Sequence, residues 1–240
     1  MEISAIIPCY NFKEKIIRNI NLLDKTLKKN FINYEIIVIN DASNDGTKIE
    51  LNKLKKNKKI KIIHNKYNKG KSYSVIRAIK KAIGKRIFLY DCDLPYYSYL
   101  NLFIKKLKNN KFVIIDRKNK KSRLSKKSIS LYQKIRYLIG IIIAYVVCKF
   151  IGINTVDTQS GMKGFINIKS LKSKKFISKR FFLDVEIINL FKKEKIYPIK
   201  IPVNFEIPNN STIKLFDIKN LEIVVELCKV LASLRKPKAS

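Results

Sequence analysis

Four short β-branched runs, "ISAIIP" (3–8), "YEIIVIN" (34–40), "IKIIH" (60–64) and "RIFLYD" (86–91), alternate with three segments whose apolar residues recur at helical spacing. The helical segments are 13–30, 47–56 and 71–83; Ile16, Ile20, Leu23 and Leu27 mark the buried stripe of the first. Strands alternating with helices predict an α/β fold: a mostly parallel sheet with helices on both faces. Asn44 or Asp45 is placed to cap the second helix, and Gly84 stands where the third should end. The second half is less regular. "FVIID" (112–116) reads as another strand and is followed by a basic run, 117–128. Then come an apolar helix, a glycine-punctuated stretch "DTQSGMKGF" (157–165), a helix over 183–193, a strand "IYPIKIPVNF" (196–205) and a last helix over 217–235. With no internal repeat and no low-complexity linker, residues 1–240 read as a single domain.

Ligands of open parallel sheets bind beyond the carboxyl ends of the strands. Here those ends carry "PCYN", "NDAS" and "DCD", so the polar chemistry gathers at one rim. Asp and Pro are ordinary turn residues, and "DCDLP" alone is as well explained by a turn. Three polar strand ends on one rim favour a ligand, and a nucleoside diphosphate fits them. Its base and ribose suit polar groups such as Tyr10, Asn11 and Asp41. Its diphosphate calls for a divalent cation, and carboxylates are the hard oxygen ligands that Mg2+ or Mn2+ prefers. Residues i and i+2 of a strand end share a face, so Asp91 and Asp93 are the candidate metal ligands. The same cation would serve as a Lewis acid on a departing diphosphate. Lys71, at a helix start after Gly70, is placed to reach phosphate. His64, the single histidine, reads as a bystander, and Cys92 should point away from the metal.

A formal net charge of +34 implies an anionic partner: nucleic acid, an acidic membrane surface or a phosphorylated substrate. Lysine is abundant along the whole chain, which weakens that argument, and no stacking motif, helix-turn-helix or metal finger supports nucleic acid. The 46% hydrophobic content excludes a disordered polymer. Cys9, Cys92, Cys148 and Cys228 form no CxxC pair, which argues against a zinc knuckle or a disulfide framework. The first residues show no signal-peptide pattern. The apolar run 138–153, broken by Lys149, is shorter than the roughly 20 residues a spanning helix needs. It is expected to be a buried or membrane-interfacial helix beside a basic flank that an anionic leaflet attracts by about 1 kcal/mol per cation.

The ordered blocks "PCYN", "INDASNDGT", "NKGK" and "DCD" resemble those of family 2 glycosyltransferases with the GT-A fold. Later blocks, "DTQSGMKGF", "FFLDVEII" and "IPVNFEIPNNSTIK", resemble those of dolichyl-phosphate glucosyltransferases and, less closely, dolichyl-phosphate mannose synthases. The resemblance runs from residue 3 to about residue 235. It implies inverting transfer of a hexose from a nucleotide sugar, with UDP-glucose favoured over GDP-mannose, to a polyprenyl phosphate at the cytoplasmic face of a membrane, by a peripheral enzyme. Residues 1–116 would then be the nucleotide-sugar-binding half and 117–240 the acceptor- and membrane-facing half. Pro8, Tyr10, Asn11, Asp41, Lys71 and Asp91 would contact the donor. Asp93, Asp157 and Asp184 are the candidate catalytic carboxylates, although an acceptor phosphate is already anionic and needs no strong base. Arg117, Arg123, Gln159, Ser160, Lys163 and Lys214 are the candidates for the acceptor phosphate, with Arg117 and Arg123 suited to clamp it.

Several positions depart from the family pattern. Asn40 and Ala42 replace an Asp and a Gly, Pro95 stands where many relatives carry a polar residue, and "NNST" replaces a G-S-K turn. The alternative within enzymes is a family 2 transferase acting on a polysaccharide or another soluble acceptor; a basic nucleic-acid-binding protein is the remote one.

Overall fold

The structure, a computed structural model, describes residues 1–125, 130–153, 157–207 and 219–235. Its first half follows the alternation of the sequence. Strands β1 (Ile3–Cys9), β2 (Tyr34–Asn40), β3 (Ile60–His64), β4 (Arg86–Tyr90) and β5 (Phe112–Ile115) are joined through helices α1 (Lys13–Asn30), α2 (Thr47–Lys53), α3 (Lys71–Lys81) and α4 (Leu100–Asn109). Beyond them lie β6 (Arg123–Leu124), α5 (Leu131–Phe150), β7 (Met162–Ile166), α6 (Lys169–Ser173), α7 (Leu183–Lys193), β8 (Ile199–Ile201), β9 (Asn204–Phe205) and α8 (Lys219–Arg235).

The main sheet has seven strands in the order β3-β2-β1-β4-β7-β5-β8. All its pairings are parallel except those of β7, which runs antiparallel between β4 and β5. Both faces are covered, so the strands read as continuous apolar runs rather than alternating ones. Ile3, Ala5, Ile7 and Cys9 of β1 face α1 (Ile16, Ile20, Leu23, Leu27) and α4 (Leu100, Phe103, Ile104, Leu107). On the other side, Ile6, Ile37 and Ile39 pack with Val75 and Ile79 of α3 and Ile187, Ile188 and Phe191 of α7. Successive strand residues point to opposite faces, which is why adjacent isoleucines serve different cores.

Three features differ from the sequence reading. The glycine-punctuated stretch contains β7, whose Gly164 lies against Leu107 and Phe103, where a Cβ would be 2.6 Å from a leucine methyl. The expected strand over 196–205 is two short strands in different sheets, β8 in the main one and β9 paired with β6. Pro202, which has no N–H to donate, lies between them. The apolar helix is also longer than its apolar core. Ser130 and Gln133 form a reciprocal capping box that starts α5 seven residues before Leu138. At 20 residues, and with 24% of its most apolar window buried, α5 is long and apolar enough to cross a bilayer by length and composition. The core helix of a soluble protein passes the same test. Its C-terminal end is anchored: Ala144, Val147, Cys148 and the C-cap Ile151 are buried, and Lys192 Nζ of α7 donates to the Ile151 carbonyl at 2.6 Å.

Candidate active site

The strand ends are tied to one another before they meet any ligand. Asn11, in the left-handed region at φ 49°, donates its N–H to Ser43 Oγ (2.9 Å) and accepts from the Asn44 N–H through Oδ1 (3.1 Å). Of Asn44 and Asp45, the two expected caps of α2, neither is its N-cap, which is Gly46; Asp45 stands one residue before it. Its carboxylate instead accepts the Lys13 N–H of α1 (3.0 Å) as well as Thr47 N–H (2.9 Å), and these bonds hold its pKa below the usual aspartate value against partial burial. Pro8 is inside β1, and Tyr10 stands exposed at the rim. Asn40 Oδ1 accepts both the Ser43 N–H and hydroxyl, so the Asn at this position fastens the turn without adding charge. Ala42 holds φ 58°, a conformation glycine adopts without steric cost, which explains the glycine of the usual motif.

Asp41 is buried beneath this rim. Its Oδ1 accepts from Asn65 Nδ2 (2.6 Å) and the Lys69 N–H (3.0 Å), and its Oδ2 from the Gly70 N–H (2.8 Å). The carboxylate therefore folds the 65–70 loop into place. Gly70, at φ 92°, lies so close to the 179–180 backbone that a Cβ would be 2.7 Å from the Lys179 carbonyl oxygen. Lys71 follows and brings its ammonium 2.5 Å from Asp91 Oδ1. Burial works against the Lys71 charge, but Asp91 and Asp184 outweigh it and raise the pKa. The Ser72 and Tyr73 N–H groups at this helix start already bond the Arg180 and Lys179 carbonyls (3.3 and 3.0 Å).

Asp91 and Asp93 follow β4 as the sequence reading expects. Asp91 N–H donates to the Gly161 carbonyl at 3.0 Å, and Asn19 of α1 donates to the Cys92 carbonyl at 2.8 Å. Cys92 packs on the core, and burial raises its thiol pKa well above the free value. Leu94 and Tyr96 both sit at positive φ (51° and 60°) around Pro95; such strain clusters at binding and catalytic sites. Asp93 is exposed at the turn; partial enclosure and then the Asp91 charge raise its pKa.

These carboxylates line a cleft of about 600 Å3 with Pro95, Tyr96, Tyr97, Arg117, Gln159, Gly161, Phe205 and Glu206. Arg117 Nη2 donates to Asp157 Oδ1 (2.8 Å) and its Nε to Asp157 Oδ2, a fork-shaped pair with Asp157 almost fully buried. The paired guanidinium holds the Asp157 carboxyl below the usual range despite its burial. Asp157 is thus joined to the cleft through Arg117, which lines it. Lys163 is buried within the sheet; its ammonium bonds the Ser160 carbonyl and lies 3.2 Å from Asp184 Oδ2. Burial raises the Asp184 pKa in spite of Lys163 and Lys71. Ser160 is buried too, with its hydroxyl on the Met162 carbonyl. Arg123 is exposed on β6. Lys214 lies outside the described residues, as do Lys126 and Lys127 of the basic run. Of the proposed acceptor-phosphate group, then, Arg117 and Gln159 line the cleft, while Lys163 and Ser160 are buried in the packing beneath it.

Sequence reasoning missed the Tyr96–Tyr97 wall, Phe205, Glu206 and Gly161 as parts of the cleft. Gly161 carried a signal, a glycine beside a motif where the backbone must come close. A Cβ there would be 2.8 Å from Asp91 Oδ2 and 2.7 Å from Pro95 Cγ. No group of three or more Cys, His, Asp or Glu side chains suited to a metal occurs among the described residues. The two aspartates still fit Mg2+ or Mn2+. Those ions keep several waters and take one or two carboxylates together with substrate phosphates, and Asp91 Oδ2 lies over the space left by the missing Cβ of Gly161.

Residues 4–163, two thirds of the chain and all of the strand-end motifs, match the model of glycosyl transferase family 2. The chain belongs to this family. Among its relatives, a dolichol-phosphate mannosyltransferase of Pyrococcus furiosus is 35% identical over 96 residues, 40% of this chain and 27% of that protein. An uncharacterized glycosyltransferase of Rickettsia bellii is 35% identical over 113 residues, 47% of this chain and 16% of that protein. The matched segments thus span less than a third of either relative. Glucosyl-3-phosphoglycerate synthase from Mycobacterium tuberculosis, solved in complex with Mn2+, UDP-glucose and phosphoglyceric acid, superposes over 99% of this chain and 81% of its own. The TM-score is 0.66 at 16% identity, a likeness of fold, and it establishes the GT-A architecture expected from the motifs.

Proposed function

We propose that this family 2 glycosyltransferase moves a hexose from a nucleotide sugar to a polyprenyl phosphate, with UDP-glucose favoured as donor and GDP-mannose second. The observation that carries the reading is the placement of Asp91 and Asp93 in a cleft that Arg117 also lines, with Lys71 paired to Asp91. Mg2+ or Mn2+ bound by the two aspartates would supply Lewis acidity to the departing diphosphate. Lys71, paired with Asp91 at 2.5 Å, is positioned to transfer its ammonium from the carboxylate to an incoming phosphate oxygen. Arg117, oriented by Asp157, presents a planar donor face to the acceptor. A phosphate acceptor is a nucleophile near neutral pH, so Asp184, held by Lys163, serves to orient rather than to abstract a proton. Pro8, Tyr10 and Asn11 form the rim on which the nucleoside rests, and Asp41 shapes the loop beneath it.

The lipid character of the acceptor is supported by two observations. A relative is named for dolichol phosphate, and α5 exposes Leu138, Ile139, Ile142, Ile143 and Val146. That helix is one side chain away from the cleft: the Tyr137 ring packs at a tilt against Phe205 with centroids 6.0 Å apart, and Phe205 lines the cleft. We place α5 in the headgroup boundary of an anionic, cytoplasm-facing leaflet, with the lysine-rich flank beside it. The second reading, a small soluble phosphorylated acceptor, draws on the phosphoglyceric acid held by the fold neighbour.

Incubation with a panel of nucleotide sugars and a short polyprenyl phosphate tests the assignment. Product should form in the lipid phase from a single donor. Transfer only to a water-soluble acceptor would replace the lipid reading with the second one, and the absence of both transfer and donor hydrolysis would overturn the transferase reading.

A further inference from the structure

Six consecutive backbone N–H groups, 177–182, stand in one loop outside any helix or strand hydrogen-bond ladder, and the protein's own side chains satisfy all of them. Glu186 of α7, fully buried, accepts from Ile177 (3.1 Å) and Ser178 (2.8 Å). Glu226 of α8 accepts from Lys179 (3.1 Å), Arg180 (3.1 Å) and Phe181 (3.2 Å), and from the Ser178 hydroxyl (2.5 Å). Phe182 donates to Ser178 Oγ at 2.9 Å. Successive N–H groups turned to one side form a concave anion site. Here a carboxylate from the last helix fills it, and these bonds keep the Glu226 pKa low against its partial burial.

The opposite edge of the same loop meets the start of α3 and Gln159. The Arg180 and Lys179 carbonyls accept from Ser72 and Tyr73 in the first turn of α3, and the Ser178 and Ser72 hydroxyl oxygens are 3.0 Å apart. The Phe181 carbonyl accepts from Gln159 Nε2 at 3.3 Å, and Gln159 lines the cleft. Gly70 is pressed against the Lys179 carbonyl, and the next residue, Lys71, pairs with Asp91. A continuous set of contacts therefore runs from α8 through the loop to two residues that line the cleft, Asp91 by way of Lys71 and Gln159 directly.

We infer that Glu226 is a positioning residue, whose carboxylate fills the 179–181 N–H site and so fixes the loop that places Lys71 against Asp91 and Gln159 at the cleft. The inference rests on the transferase reading for its effect on donor binding and stands without it for the coupling between α8 and α3. Glu222, exposed on the same helix and 3.8 Å from Arg180 Nε, touches none of these N–H groups and serves as the control.

The test compares amide hydrogen exchange in wild type, Glu226→Ala, Glu226→Gln and Glu222→Gln, alongside the affinity for UDP and for GDP with Mn2+. Charge-assisted hydrogen bonds of this kind are worth about tenfold or more each. Exchange in Glu226→Ala should quicken by at least about tenfold at 179–181 and also at Ser72 and Tyr73. Affinity for the bound nucleotide should fall by a similar factor, with Glu226→Gln intermediate and Glu222→Gln unchanged. Added formate should restore protection at both segments of Glu226→Ala together. Faster exchange at 179–181 with Ser72, Tyr73 and nucleotide affinity unaltered would overturn the inference, as would formate rescue confined to 179–181. If wild type binds neither nucleotide, the transferase reading fails, and the exchange at Ser72 and Tyr73 still decides the role of Glu226.

Discussion

Gly161→Ala isolates the placement of Asp91 from its chemistry, because both aspartates remain. The glycine is not in the left-handed region, so alanine meets only a shortage of space. The added methyl would lie 2.8 Å from Asp91 Oδ2 and 2.7 Å from Pro95 Cγ, about 0.6–0.7 Å inside the 3.4 Å at which ordinary contact begins. Neither neighbour yields readily. Asp91 is held by Lys71 on its other oxygen and by its own N–H on the Gly161 carbonyl, and Pro95 stands between two residues at positive φ. Overpacking of this size costs about 1–3 kcal/mol, which in a chain of this length lowers Tm by roughly 2–4 °C for each kcal/mol. A displaced carboxylate should weaken Mn2+ binding about 10–100-fold, the usual penalty for disturbing a metal ligand's support. Calorimetric titration of Mn2+ in the presence of UDP, with a thermal melt of the same sample, reads both quantities. A folded Gly161→Ala protein with wild-type Mn2+ affinity would show that Asp91 Oδ2 takes no part in holding the cation.

Two further predictions follow from the charges and from the exposed helix. Removing Asp157 leaves the Arg117 guanidinium without its buried partner, so Asp157→Ala should lose about 3–5 kcal/mol in a denaturant titration. The folded pKa of Asp157 is depressed, so its contribution is present above the unfolded value of about 4 and disappears as pH falls through the folded value. Between about pH 5 and pH 3 wild-type Tm should therefore fall more steeply than that of the variant, and parallel curves would contradict the pairing. On α5, Ile139→Ser with Ile142→Ser should reduce sedimentation with anionic vesicles while Tm stays within about 2 °C, since both side chains are exposed. Unchanged vesicle binding would remove α5 from the membrane contact.

The sequence disclosed most where one local pattern suffices. The runs that became β1, β2, β4 and β5 are buried on both faces, so each is a short apolar block with little competing signal. Helix α4 shows the right period at Leu100, Phe103, Ile104 and Leu107, but it follows the "DCDLPYY" turn so closely that its start is disguised. Strand β7 was hidden by its content: Lys163 and Gly164 are poor strand residues, chosen because one pairs with Asp184 and the other lets Leu107 approach. The same divide runs through the site. Asp91 and Asp93 were legible because their relation is one of adjacent positions on a strand end. The three bonds of Asp41, the Arg117–Asp157 fork and the Glu226 site join residues 24 to 47 positions apart. No spacing rule encodes such partners; only the folded chain brings them together.

The central claim, that Asp91 and Asp93 hold the cation on which sugar transfer depends, is tested most directly by donor turnover as a function of Mn2+ concentration in wild type, Asp91→Asn and Asp93→Asn. Wild type should lose turnover in excess chelator and regain it when Mn2+ is restored. Each variant should remain folded and yet fall by at least about a hundredfold at any Mn2+ concentration, the scale expected for a lost electrostatic stabiliser of the leaving group. Full turnover in chelator, or a wild-type Mn2+ response in either variant, would contradict the account.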